Sequence, residues 1–91
     1  MVTILQSPTF KRAIKRLHKQ HKKELDDTVR AIIQTPSIGE AKIGNLTGVR
    51  VYKFKMNKQL TLLAYEYLEV ENVIKLLTLG THENFYRNLK R

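Results

Sequence analysis

The sequence predicts an α+β domain, with a helical hairpin packed on one face of an antiparallel-rich sheet. Two observations carry this. Apolar residues recur at helical spacing through the first third of the chain, and from Val49 to Leu79 the period changes to two. Between them lies a stretch rich in Gly, Pro and Asn, residues 36–48, which reads as a loop. The 91 residues, 42% hydrophobic and 27% charged, fit one folded domain spanning 1–91 with a limited core.

Val2-Thr3-Ile4-Leu5 is short and β-prone and reads as a first strand. Ser7-Pro8 then supplies a cap residue and a proline at the first helical position. Phe10, Ala13, Ile14 and Leu17 make the apolar stripe of the helix that follows. Glu24, Asp26 and Asp27 suit the opening of a second helix, with Leu25, Val29, Ile32 and Ile33 as its buried stripe. Thr35-Pro36 ends it, and the two helices are expected to join near residues 20–22. Gly39 and Gly44 have the spacing of a phosphate-binding P-loop, but Asn45-Leu46 stands where Lys-Ser/Thr is required, which excludes that motif.

In the alternating region Tyr52, Phe54 and Met56 share one face, and Val51, Lys53 and Lys55 the other. Asn57-Lys58 makes a tight turn into residues 59–67. The segment Glu69–Asn72 makes the next turn, and Val73–Leu79 is apolar enough to lie centrally, ending at Gly80. A short C-terminal helix completes the order β-α-α-β-β-β-α. No apolar run is long enough to cross a bilayer, and cysteine is absent, so the chain reads as cytoplasmic, with no membrane association.

Seventeen Lys and Arg against eight Asp and Glu leave a formal net charge of +9. Residues 1–35 hold eight basic and three acidic side chains, and residues 36–91 nine and five, so the excess is spread over the domain. A surface of this kind meets a polyanion, nucleic acid first among them. On the predicted helices Lys11, Lys15, Lys19 and Lys22, with Arg12, Arg16 and Lys23, crowd one side. Like charges four apart cost roughly 0.2–0.5 kcal/mol each in a helix, which favours a phosphate-facing role over a merely solvated face.

The chemistry-bearing stretch is Leu79-Gly80-Thr81-His82-Glu83-Asn84-Phe85-Tyr86-Arg87. Imidazole exchanges protons near neutral pH, and Tyr86, four residues after His82, shares its face if the segment is helical. A histidine after a strand also serves as a turn residue or helix cap. With Lys53 and Lys55 on the neighbouring sheet face, His82, Tyr86 and Arg87 make a reasonable phosphodiester site. The substrate's own 2′-hydroxyl would be the nucleophile, so neither metal nor cofactor is expected. His18 and His21 sit among lysines that repel a divalent cation, and Ser7 and Ser37, the only serines, read as cap and loop. The pairs Tyr52/Phe54 and Tyr65/Tyr67 read as core in preference to base-stacking platforms.

Three stretches in this order resemble the RelE/ParE superfamily of type II toxins over about the full chain. They are Gly44-Asn45-Leu46-Thr47-Gly48-Val49-Arg50-Val51-Tyr52-Lys53-Phe54-Lys55, Leu62-Leu63-Ala64-Tyr65, and Leu79 to Tyr86. The last looks most like the YafQ-type branch, whose final strand ends in Gly-x-His with an aromatic four residues on. The resemblance implies a ribosome-dependent endoribonuclease that cuts mRNA in the A site and is held inactive by a cognate antitoxin. It implies that Lys53 and Lys55 match the paired strand lysines, His82 the C-terminal catalytic histidine and Tyr86 the aromatic position. Arg50 matches a basic residue at the start of its strand, while Arg87 has no firm counterpart. Where RelE carries an arginine before Leu-Val-Tyr, this chain has Leu62. Lys53 as base with His82 as acid, or the reverse, both fit. The resemblance equally covers ParE-like proteins that poison DNA gyrase without chemistry of their own, and an inert RNA-binding module is a third reading.

Overall fold

The computed structural model describes residues 2–81 and Phe85. Strand β1 (Thr3–Gln6) leads into helices α1 (Pro8–Lys15) and α2 (Lys19–Gln34). A two-residue strand, β2 (Glu40–Ala41), and a 3-10 turn at Gly44–Leu46 precede β3 (Val49–Met56), β4 (Gln59–Leu68) and β5 (Val73–Thr81). The sheet order is β1-β5-β4-β3-β2, with β1 parallel to β5 and the other pairs antiparallel. The expected α+β architecture is therefore present, with a short fifth strand at the edge that the glycine-rich composition had concealed. The expected C-terminal helix lies outside the described residues apart from Phe85, which is helical.

Local chemistry explains the elements. Ser7, extended, accepts a hydrogen bond from the Phe10 amide at 3.0 Å, and Pro8 fills the first turn, where no amide donor is needed. The Ser7 hydroxyl also donates to the Leu77 carbonyl, which ties the start of α1 to β5. Asn57 and Lys58 both adopt positive φ (54° and 62°), the backbone of a two-residue hairpin turn whose twist suits antiparallel strands. Asn72, at φ 56°, turns β4 into β5.

The helices join at residues 16–18, earlier than the acidic cluster suggests. His18 is extended and precedes α2 without a side-chain capping bond, and the first turn of α2 holds no acidic residue. Burial of Leu25, Thr28 and Ile32 decides where this helix lies, overriding the charge preference of its first turn. Ile33, expected in the stripe, is exposed, and Thr28 takes a buried place with its hydroxyl donating to the Glu24 carbonyl. β5 likewise runs past Gly80 to Thr81, because β4 extends far enough to supply Leu62 and Thr61 as partners.

Both sheet faces carry a cluster. On the helix-covered face Phe10, Leu25 and Ile32 meet Leu63, Tyr65, Ile74, Leu76 and Leu79, with Tyr52, Phe54 and Met56 packed at the margin. Tyr52 and Phe54 stack at 6.4 Å within this layer, as the core reading expects. On the other face Val51, Leu62, Ala64 and Phe85 form a smaller cluster. Leu62 and Phe85 are each 0% exposed, so this second face is sealed at its centre.

Candidate nucleic-acid interface

The face without helices is built by strand alternation. Val49, Val51, Lys53 and Lys55 point to it from β3, opposite Tyr52, Phe54 and Met56. Lys53 and Lys55 are exposed and stand about 7 Å apart along the strand. Register fixes what lies beside them. Lys53 pairs with Leu62, which pairs in turn with Gly80, and Val51 pairs with Ala64, then Thr78. The lysine pair therefore borders an apolar floor two strands wide, and the strand bearing Gly80 and Thr81 leads directly to His82.

Glu40 joins this face from the edge strand, where it pairs with Val51. Its carboxylate accepts a hydrogen bond from the Lys42 ammonium, which holds it below the usual carboxylate range, and the charge of Lys53 acts in the same direction. Sequence reasoning missed Glu40. Its Glu-x-Lys alternation is the only local signal, inside a stretch whose glycines read as loop. The arrangement places a carboxylate within electrostatic range of Lys53, although both groups remain solvated and the interaction is screened.

Arg50 is arranged differently. It alternates with Lys53 to the helix side, where one guanidinium nitrogen donates to the carbonyls of Ser37 at 3.2 Å and Gly39 at 2.8 Å. In the same place the Tyr65 hydroxyl donates to the Pro36 carbonyl at 2.6 Å and accepts from the Gly39 amide at 2.9 Å. Burial pushes the Tyr65 phenol above its ordinary value, while the Gly39 bond and the Arg50 charge pull the other way. Arg50 and Tyr65 thus clip the loop that leads into β2, and through it they position Glu40.

The helical basic group forms a second surface. Lys11 and Lys15 lie on α1, Lys19 and Lys22 on α2, and all four are exposed. The break at residues 16–18 interrupts the run of lysines four apart. Lys15 suits the negative end of α1, whereas Lys19 and Lys22 occupy the first turn of α2, where the macrodipole disfavours cations. Among the described residues the ion pairs are Arg30–Asp26 at 3.2 Å and Lys42–Glu40, and neither involves this group. An open groove of about 700 Å³ runs between α1 and the β1–β5 edge, bordered by Leu5, Lys11, Lys75 and Leu77. It lies at the opposite edge of the sheet from β3, and Leu77 also packs against the cluster of Val51, Leu62, Ala64 and Phe85, so its β5 border belongs to the same helix-free face as the lysine pair. His82, Tyr86 and Arg87 lie outside the described residues. Among the described residues no group of three or more His, Cys, Asp or Glu side chains is placed to hold a metal ion, and no helix is long and apolar enough to cross a membrane.

Residues 4–90 match the family described as the ParE-like toxin of type II bacterial toxin–antitoxin systems, and the chain belongs to it. No curated protein matches the sequence. Among solved structures, a chain of the intact Escherichia coli RelBE toxin–antitoxin complex superposes with a TM-score of 0.71 at 15% identity, over 89% of this chain and 96% of that one. Isolated E. coli RelE gives 0.70 at 16% identity, covering 100% and 98% of the two chains. The conserved hypothetical protein HP0892 from Helicobacter pylori gives 0.59 at 20% identity, covering 93% and 99%. At these identities the likeness speaks for the fold alone. The RelE-like α+β architecture is shared, and the YafQ-type reading of the Gly-x-His segment rests on sequence resemblance.

Proposed function

We propose that this type II toxin is a metal-independent endoribonuclease that cleaves mRNA in the ribosomal A site and is restrained by a cognate antitoxin. The observation that carries the reading is the exposed Lys53–Lys55 pair on the open sheet face, with Lys53 in register with Leu62 on β4 and, through it, with Gly80 on the strand that leads to His82. In the reaction the 2′-hydroxyl attacks the adjacent phosphorus, the P–O5′ bond breaks, and a 2′,3′-cyclic phosphate and a 5′-hydroxyl result. One group accepts the 2′-hydroxyl proton and another supplies a proton to the departing 5′-oxygen; Lys53 and His82 fill these two roles, in either order. Lys55 offsets the charge that grows on the non-bridging oxygens, and Tyr86 orients the base.

Lys11, Lys15, Lys19 and Lys22 serve as a separate contact for ribosomal RNA phosphates, with Arg87 added from the C-terminal segment. Arg50, engaged by Ser37 and Gly39, supports the site through the β2 loop. An acidic antitoxin chain meeting the +9 surface would compete with RNA, consistent with the toxin–antitoxin complex formed by E. coli RelBE.

Mapping mRNA 5′ ends soon after induction tests the reading. Wild type is expected to produce 5′-hydroxyl ends at codon-phased positions, and His82→Ala, or Lys53→Ala with Lys55→Ala, to abolish them while the proteins remain folded. The ParE-like family match favours a second reading, a gyrase poison. Growth arrest with DNA breaks and no new mRNA ends would establish that one.

A further inference from the structure

We infer that Phe85 is a positioning residue, whose ring fastens the segment after β5 onto the lysine-bearing face. The inference rests on the nuclease reading for its consequence, and on packing for its substance. Having left the sheet at Thr81, the chain is back against it four residues later. Phe85 is 0% exposed and clusters with Val51, Leu62 and Ala64, at the centre of the face that the helices leave open.

Each element of the seat has a reason. Ala64, a small residue on β4, leaves a recess between the side chains of Val51 and Leu62. Gly80 presents no side chain, and the Phe85 backbone lies 3.8 Å from where its Cβ would stand, so the returning chain rests directly on β5. Leu62 is the central floor residue, paired with Lys53 on one side and Gly80 on the other. The ring is thus seated one strand spacing, about 5 Å, from the Lys53 row.

Leu62, 0% exposed, completes the seat as an apolar side chain, where a charged one would have to give up its hydration. His82 follows the paired Thr81 directly, and Tyr86 follows Phe85. The two side chains expected to act on RNA are therefore adjacent in sequence to the two fixed points. Positioning of this kind acts on rate more than on substrate affinity, since small displacements at a reacting centre are costly.

The test compares wild type, Phe85→Leu and Phe85→Ala. Hydrogen–deuterium exchange reports the fastening. Amides after β5 are expected to exchange roughly tenfold faster or more in Phe85→Ala, with β3 and β4 unchanged, and Phe85→Leu within about threefold of wild type. Single-turnover cleavage of mRNA on programmed ribosomes reports the positioning. The maximal rate is expected to fall roughly 30-fold in Phe85→Ala at an unchanged half-saturating concentration, and to be largely restored by Phe85→Leu. A uniform rise in exchange over the whole domain would make Phe85 an ordinary core residue and overturn the inference. So would faster exchange after β5 with a wild-type cleavage rate. If wild type itself does not cleave, the nuclease reading fails separately, and the fastening is then judged by exchange alone, standing on the segment-specific rise and falling without it.

Discussion

Replacing Tyr65 by Phe removes one oxygen from a fully buried ring and leaves the ring's packing in place. That oxygen holds the loop before β2 by donating to the Pro36 carbonyl at 2.6 Å and accepting from the Gly39 amide at 2.9 Å. Pro36 is half-buried and can recover a water, but Gly39 is buried and its N–H loses its acceptor. A lost net hydrogen bond costs about 1 kcal/mol and a stranded buried donor about 1–3, so the expected loss is about 2–4 kcal/mol. With an unfolding entropy of about 2.1 cal/mol/K per residue, that lowers Tm by about 10–20 °C in a domain of this size. The bonds from Arg50 to Ser37 and Gly39 remain, so the variant is expected to fold and to melt cooperatively. Thermal melts and urea titrations of both proteins measure the difference, with an unchanged m-value showing that the same surface is exposed on unfolding. A drop of less than about 3 °C would show that the loop holds its shape without the phenol, and would refute the assignment of Tyr65 as its clip.

Gly39→Ala attacks the same contact from the other side. Its Cβ would stand 2.8 Å from the Tyr65 oxygen and 2.9 Å from Cε1, and a ring with no exposure cannot retreat, so a loss of about 1–3 kcal/mol is expected in chemical denaturation. The phenol also carries a pH signature. Its pKa is raised in the folded state, so its contribution is complete below the unfolded value of about 10 and fades as pH rises through the folded one. The stability gap between wild type and Tyr65→Phe should accordingly narrow between urea midpoints measured at about pH 8 and pH 10.5; a constant gap would contradict it. Lys19→Glu with Lys22→Glu should move stability and binding in opposite directions. Carboxylates in the first turn of α2 suit the dipole and should stabilise by about 0.3–1 kcal/mol each at low salt, while RNA affinity falls and its salt dependence becomes shallower. Melting curves and anisotropy titrations at several salt concentrations read both effects.

The division of β3 into a core side and a lysine side was legible from the residues alone. Alternation is a property of the extended backbone, so Tyr52, Phe54 and Met56 had to face away from Lys53 and Lys55 whatever the partners were. The Ser7-Pro8 helix start and the Asn57-Lys58 hairpin turn were legible for the same reason, since both are set by backbone preferences of adjacent residues. The α2 start was not, because buried contacts of Leu25 and Ile32 outweigh the few tenths of a kcal/mol by which charges choose a first turn. Tertiary structure alone decided that Arg50 serves a loop eleven to thirteen residues earlier in the chain, that Glu40 stands near Lys53, and that Phe85 rests on Leu62. Each of these depends on strand register and loop closure, which bring distant residues together through packing, whereas periodicity and turn chemistry act only between near neighbours in the chain.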